Sequence, residues 1–374
     1  MNKAISLYLH VPFCLSKCAY CDFYSLAKEE LKSRYVSALC RALRDAAKME
    51  TRTVDTVFFG GGTPSLLTAR ELAEIFDALG SFSFSDDCEI SMEVNPATVT
   101  EESLRAYRAL GVNRISIGMQ SAHDAELQLL GRRHNFADTV ASVDAVSRAG
   151  FDNFSLDLMY GLPHQTEEAW QESLDAALAL SPTHLSLYAL TLSTNVPLYR
   201  LVDSLPEDEV QRKFYAMACQ TLLSSGFLQY EISNFAKKGR HCRHNLRYWT
   251  RGDYLGFGPS AASFYRGRRH TEAESLDAFL SAPTGLRERI MKEEALTQTD
   301  AVTEQIFLSL RLTSGLSLSE ILAKIPQKKE FSKEVETLTD GGFCRVEHER
   351  LSLTEDGFFV SNEIIARLLS AAGL

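Results

Sequence analysis

The chain has 374 residues, with 39 Lys and Arg against 49 Asp and Glu, so its formal net charge is −10; hydrophobic residues make up 45% and charged residues 24%. These values exclude a disordered, collagen-like or low-complexity chain. The surplus of acid argues against nucleic acid as a partner, since general nucleic-acid binding needs a basic footprint.

No apolar run reaches the roughly 18 residues of a membrane span. The N-terminal MNKAISLYLHVPFC lacks the continuous apolar core and cleavage site of a signal peptide. The expected location is therefore cytoplasmic. Eight cysteines are too sparse for a secreted disulfide scaffold; in a reducing compartment, closely spaced ones more often bind metal or do redox chemistry.

In chain order, six short β-like runs recur: Ile5–Leu9, Asp55–Phe59, Glu89–Val94, Arg114–Gly118, Phe154–Leu158 and His184–Leu190. Helical periodicity fills most gaps between and after them, at Tyr35–Leu43, Glu71–Leu79, Glu102–Leu110, Ala137–Arg148, Glu167–Leu180 and Asp208–Leu223. Alternating strand and helix predicts βαβ units and a parallel sheet. Six units fall short of the eight of a closed barrel, so the expected fold is α/β, a partial TIM-like (β/α)6 barrel over residues 1–225; an open doubly wound sheet is the alternative. Residues 226–295 break the rhythm and read as a connecting region. From 296 to 374, Val302–Leu312, Leu318–Ile325 and Phe331–Leu338 read as helices. A hairpin turning near Glu347–Arg350 and a last helix to Leu369 complete a small winged-helix-like domain. Residues 300–374 carry 8 basic and 12 acidic side chains, which disfavours DNA binding by that domain.

Cys14, Cys18 and Cys21 form C-x3-C-x2-C in the loop after the first predicted strand. Structural zinc asks for four ligands, and no fourth Cys or His follows nearby. Cys40 falls on an apolar helix face and reads as a small buried hydrophobe. Iron–sulfur clusters are also held by thiolates, usually four; three would leave one iron of a four-iron cube open.

The frame YLHVPFCLSKCAYCDF resembles the radical S-adenosylmethionine superfamily. The resemblance continues in order through GGGTPS (Gly60–Ser65), MEVNP (Met92–Pro96), RISIGMQS (Arg114–Ser121), LGRRH (Leu130–His134) and LDLMYGLPHQT (Leu156–Thr166). It implies a [4Fe-4S] cluster on Cys14, Cys18 and Cys21, with the amino and carboxylate groups of S-adenosyl-L-methionine on the open iron. Tyr8 and Tyr20 would lie beside that cofactor, and the Gly60–Gly62 segment would meet its methionyl amine. Each of these motifs ends a predicted strand, where parallel α/β sheets build their sites. Gly61, Gly62 and Thr63 offer backbone close to a ligand. Glu93 offers a carboxylate to ribose hydroxyls or an ammonium, with Gln120 and Asp157 in equivalent places. Arg132 is placed to pair with the cofactor carboxylate. Phe58, Phe59, Met92 and Met119 read as core. His10 and His184 read either as site residues or as satisfied buried histidines.

Between Ile232 and Gly252 there is no acidic residue, while Lys237, Lys238, Arg240, Arg243, Arg247 and Arg251 alternate with His241, Cys242, His244, Tyr248 and Trp249. Aromatic cover, cations for carboxylates and a His or Cys for iron suit haem. HNLRYW (His244–Trp249) resembles the H-N-x-x-Y-W motif of the haem-chaperone branch of the family that contains the oxygen-independent coproporphyrinogen III oxidases. That resemblance covers the whole chain. It implies a haem-binding protein that delivers haem to acceptor proteins, respiratory enzymes among them, with transient contact to a membrane surface. His244 is the first choice of iron ligand, with His241 and Cys242 in reserve. The alternative is the oxidase itself, an oxidative decarboxylase; a zinc-stabilised barrel is a third reading. The oxidases carry a fourth Cys two residues after the third, where this chain has Phe23, and a longer extension before the cluster.

Overall fold

Alternation within single strands decides how this chain folds. The computed structural model describes residues 4–282 and 290–374; residues 1–3, and 283–289 inside the stretch read as a connector, lie outside the described residues. In β1 (Ala4–Val11), Ile5, Leu7, Leu9 and Val11 are fully buried in the main hydrophobic core. Ser6, Tyr8 and His10 project to the opposite side, as the two-residue period of a strand requires. β2 (Thr53–Gly61), β3 (Phe84–Val94), β4 (Arg114–Gln120), β5 (Phe154–Tyr160) and β6 (His184–Ala189) repeat the pattern. Val57, Met92, Ile117, Leu156 and Leu185 join the core, whereas Glu93, Ser116, Asp157, Ser186 and Tyr188 line an interior cavity. The six strands pair in parallel and in sequence order. Each predicted strand falls inside or within a residue of an observed one, and the predicted helices match to within a few residues. Among the described residues four helices start on reciprocal caps, Thr68 with Glu71, Thr100 with Ser103, Asn135 with Asp138 and Thr297 with Asp300, which satisfy N–H groups left open at a helix start.

Residues 226–295 are not a mere connector. β7 (Leu228–Gln229) and β8 (Asn234–Ala236) extend the sheet beyond β6, while β9 (Tyr254–Phe257) pairs in parallel with β1 at the other edge. β10 (Ala262–Tyr265), β11 (Arg268–Glu272) and β12 (Ile290–Ala295) continue from β9 as an antiparallel run, giving one sheet of 12 strands. The C-terminal region has a three-stranded sheet of β13 (Leu316–Ser317), β14 (Cys344–Glu347) and β15 (Arg350–Leu353), flanked by helices including Lys328–Asp340 and Ser361–Ala372. Its hairpin turns through His348 and Glu349, both left-handed at φ 50° and 59°, the backbone of a two-residue turn that matches strand twist. Among the described residues no helix is long and apolar enough to cross a membrane.

Candidate functional site

The inward rows of β1–β6 leave a polar lumen instead of an apolar plug. Its upper part, at the C-terminal strand ends, is a cavity of about 450 Å³ lined by Cys14, Cys18, Cys21, Tyr20, Gly61, Gly62, Thr63, Glu93, Gln120, Arg132 and Asp157. Eleven of the thirteen residues read from sequence as cofactor or cluster ligands line this rim. Tyr8 lies one step lower, in a second cavity of about 280 Å³ that shares Glu93, Ser116, Asp157 and Tyr188 with the first. His244 lines the same second cavity, at its floor.

The cysteine loop is held by backbone on both sides. Cys14 N–H donates to Leu26 C=O at 3.1 Å, and Ala19 N–H donates to Leu130 C=O at 3.0 Å. All three cysteines are free and half-buried, and burial pushes the Cys21 thiol up. Among the described residues no three His, Cys, Asp or Glu side chains converge on one metal-ion position. Ligands of a four-iron cube each hold a different iron, so they must face a shared cavity rather than a shared point, and these three do. Their thiol chemistry suits iron–sulfur ligation. Phe23 is 66% exposed at the mouth.

The glycines serve the chain itself. A Cβ at Gly62 would lie 2.7 Å from Val11 O and Phe13 O, and one at Gly61, where φ is +103°, would strike the His10 ring at 2.4 Å. They let β2 end against the start of the cysteine loop. Gly61 N–H donates to Glu93 Oε2 at 3.1 Å. Burial, reinforced by the negative charge of Asp157, raises the Glu93 carboxyl to about 8. Asp157 is also pushed upward by burial, against the pull of hydrogen bonds from Ser186, Ser116 and Ser155. Glu93 is thus a neutral carboxyl donor or a carboxylate within the ordinary pH range. Gln120 ends β4 with φ 65° and is buried. Arg132 does not project freely. Its Nη2 donates to Asn95 Oδ1 at 2.7 Å and Gly118 O at 2.8 Å, and its Nη1 to Cys18 Sγ at 3.6 Å. Asn95 was missed by sequence reading, although it stands in MEVNP; its amide becomes informative only once β3 and β4 are adjacent.

His10 is a satisfied buried histidine. Its Nε2 donates to Tyr24 O at 2.8 Å, which leaves Nδ1 to accept from Tyr8 OH at 3.0 Å. His184 is satisfied likewise, by Ser155 and Tyr230. Phe59, Met92 and Met119 are core. Phe58 is not: it faces the lumen, stacked between Tyr8 and His244 with centroids 6.3 and 5.2 Å away.

The HNLRYW segment is not an open haem site in this structure. It forms the helix Arg243–Trp249, which seats against the starts of the strands. Glu89 on β3 accepts the Arg243 and His244 N–H groups at 3.0 and 3.1 Å, a favourable charge at a helix start. The His244 ring is buried, with Nδ1 2.7 Å from Thr56 Oγ1 and Nε2 2.7 Å from Tyr248 OH. Burial, with Arg114 nearby, pushes it down to about 3. It is a neutral floor of the lower cavity with no nitrogen free for iron in this conformation. Cys242 is fully buried, its thiol directed at Glu89 and pushed up to about 12 by burial. His241 is only half-buried, its ring 4.6 Å from that of Tyr230. The cations are mostly neutralised: Arg240 by Asp152, Arg243 by Asp87, Arg247 by Asp55 and Arg251 by Glu304.

A parallel partial barrel with three thiols and a glycine-rich strand end at one mouth defines a protein of the radical S-adenosylmethionine class. The sequence profile of the Radical SAM superfamily matches residues 8–177, and that of the HemN C-terminal domain matches residues 296–360. The chain is 32% identical to the Heme chaperone HemW of Bacillus subtilis (strain 168) over 97% of its own length and 99% of that protein. It is 34% identical to the Heme chaperone HemW of Mycobacterium tuberculosis (strain ATCC 25618 / H37Rv) over 98% and 95%. With the Heme chaperone HemW of Escherichia coli (strain K12), it is 41% identical over 69% of each chain. The chain belongs to the HemW family. The solved coproporphyrinogen III oxidase HemN of Escherichia coli shares its fold, with a TM-score of 0.85 over 98% of this chain and 90% of that one at 24% identity. Membership implies a [4Fe-4S] cluster and S-adenosylmethionine as resident groups.

Proposed function

We propose that this protein captures haem and hands it to haem-accepting proteins, while holding a [4Fe-4S] cluster on Cys14, Cys18 and Cys21. In this reading S-adenosylmethionine binds through Gly61, Gly62, Thr63, Glu93, Gln120, Arg132 and Asp157, flanked by Tyr8 and Tyr20. The proposed setting is the cytoplasm, with acceptors including respiratory enzymes met at a membrane surface. The observation that carries the reading is the end-to-end correspondence with proteins named Heme chaperone HemW. Phe23, where the oxidases have a further Cys, supports it.

Haem is an apolar plate with two carboxylates, so aromatic cover and Arg pairing both favour its binding. Ligation by His244 requires the Arg243–Trp249 helix to leave its seat, since both ring nitrogens are engaged; His241 is reached with less rearrangement. A carrier must release its cargo, which suits an affinity near micromolar, about −8 kcal/mol. Haem titration should give a shifted Soret band at one haem per chain, altered in His244→Ala. The loaded protein should then pass haem to an apo-acceptor. Turnover of coproporphyrinogen to protoporphyrinogen by the clustered, reduced protein, without haem binding, would put the oxidase in place of this reading.

A further inference from the structure

Two of the three cluster cysteines receive a side-chain donor, and both donors are held by one residue. Thr63 Oγ1 donates to Cys14 Sγ at 3.5 Å, and Arg132 Nη1 to Cys18 Sγ at 3.6 Å. Asn95 Nδ2 donates to Thr63 Oγ1 at 2.8 Å, while Asn95 Oδ1 accepts from Arg132 Nη2 at 2.7 Å. The amide orientation is forced, because a guanidinium only donates: Oδ1 must face Arg132, and Nδ2 must face Thr63. Thr63, its oxygen already accepting from Asn95, turns its own proton to Cys14. Arg132, pinned at Nη2 by Asn95 and Gly118 O, keeps Nη1 for Cys18. Asn95 is itself fixed at the end of β3, where its carbonyl accepts from the Thr98 N–H and hydroxyl at 3.1 and 2.6 Å.

We infer that Asn95 is a positioning residue for the cluster, acting through Thr63 and Arg132 on the sulfurs of Cys14 and Cys18. The inference rests on the cluster reading above. Hydrogen bonds to cluster sulfurs stabilise the more negative, reduced cluster and raise its potential. An amide is the short side chain that donates on one side and accepts on the other. Aspartate in its place would still anchor Arg132. It would, however, draw the Thr63 proton to itself and away from Cys14.

The test is a double-mutant cycle on the anaerobically reconstituted full chain, with Asn95→Ala, Thr63→Val and the pair, read by spectroscopic reductive titration. Each single change should make the cluster harder to reduce, by up to tenfold in the reduction equilibrium, or about 59 mV for a one-electron couple. The pair should shift less than the sum, because Asn95 acts partly through Thr63. If Asn95→Ala fails to load iron, Asn95→Asp should recover loading by restoring the Arg132 anchor and still reduce less readily than wild type. A wild-type midpoint in fully loaded Asn95→Ala, strictly additive shifts, or no recovery in Asn95→Asp would each overturn the inference. Failure of the wild-type chain to take up about four irons would instead overturn the cluster reading.

Discussion

At the scale of single residues, burial decides which charges the lumen tolerates. Glu93 carries a carboxyl raised to about 8 by burial and the neighbouring Asp157. In the unfolded chain it would ionise near the ordinary glutamate value, roughly 4.3. Between those values the folded state binds the extra proton. The group's contribution to stability is therefore full at low pH and is lost as pH rises through about 8. Glu93→Gln cannot ionise and keeps an acceptor for the Gly61 N–H. Without added cofactor, the variant should gain on wild type by on the order of 4 kcal/mol between pH 5 and pH 9. Urea midpoints across that range check this, and parallel profiles would show that Glu93 is solvated. Glu93 was legible in the sequence because strand-end position and motif order agreed on it. Asn95 and the lumen-facing Phe58 were not, since their roles depend on which side of a neighbouring strand they face.

At the scale of elements, two pieces of backbone carry the site. The first is the contact between the end of β2 and the cysteine loop, where Gly62 N–H donates to Val11 O at 2.9 Å and Thr63 N–H to Phe13 O at 2.7 Å. Gly62→Ala would push a methyl to 2.7 Å from two backbone oxygens. It should cost roughly 1–3 kcal/mol and lower iron uptake on reconstitution; normal uptake at normal stability would mean that the loop yields freely. The second is the Arg243–Trp249 helix, closed by Glu89 at its start and by the Thr56–His244–Tyr248 bonds within. If His244 ligates haem, haem must raise amide hydrogen exchange across 243–249. Haem binding with unchanged protection there would move the ligand to another residue, His241 first. The six long strands and their helices were legible because each runs for several residues with a clean period. The strands at 228–272 are two to five residues long, too short for periodicity to register, so this stretch read as a connector.

At the scale of the whole molecule, the acidic chain and its basic stretch turn out to be complementary. Asp55, Asp87 and Asp152 meet Arg247, Arg243 and Arg240 across 192, 156 and 88 residues of sequence. A reading that counts charge within a window sees only the cations. The fold removes that local excess before any ligand arrives. The same holds where the C-terminal region meets the barrel. Glu304, on the helix Gln298–Ser309, is largely buried and binds both Arg251 and Arg269, at 2.6 and 2.5 Å. Arg251 lies two residues beyond the Arg243–Trp249 helix, just after its cap Thr250, in the left-handed conformation at φ 57°. The C-terminal region therefore holds one end of the helix that must move for His244 to reach iron. Glu304→Ala strands two guanidinium groups and should cost roughly 2 kcal/mol of stability. If the link governs the helix, stopped-flow haem association should also be several-fold faster in this variant, with S-adenosylmethionine affinity unchanged at the opposite mouth. Arg212→Ala is the control. It breaks the exposed, solvent-screened pair with Asp356, which joins the same two regions away from the helix. Equal acceleration in both variants would point to general loosening of the C-terminal region, and no acceleration in Glu304→Ala would disconnect Glu304 from the movement of that helix.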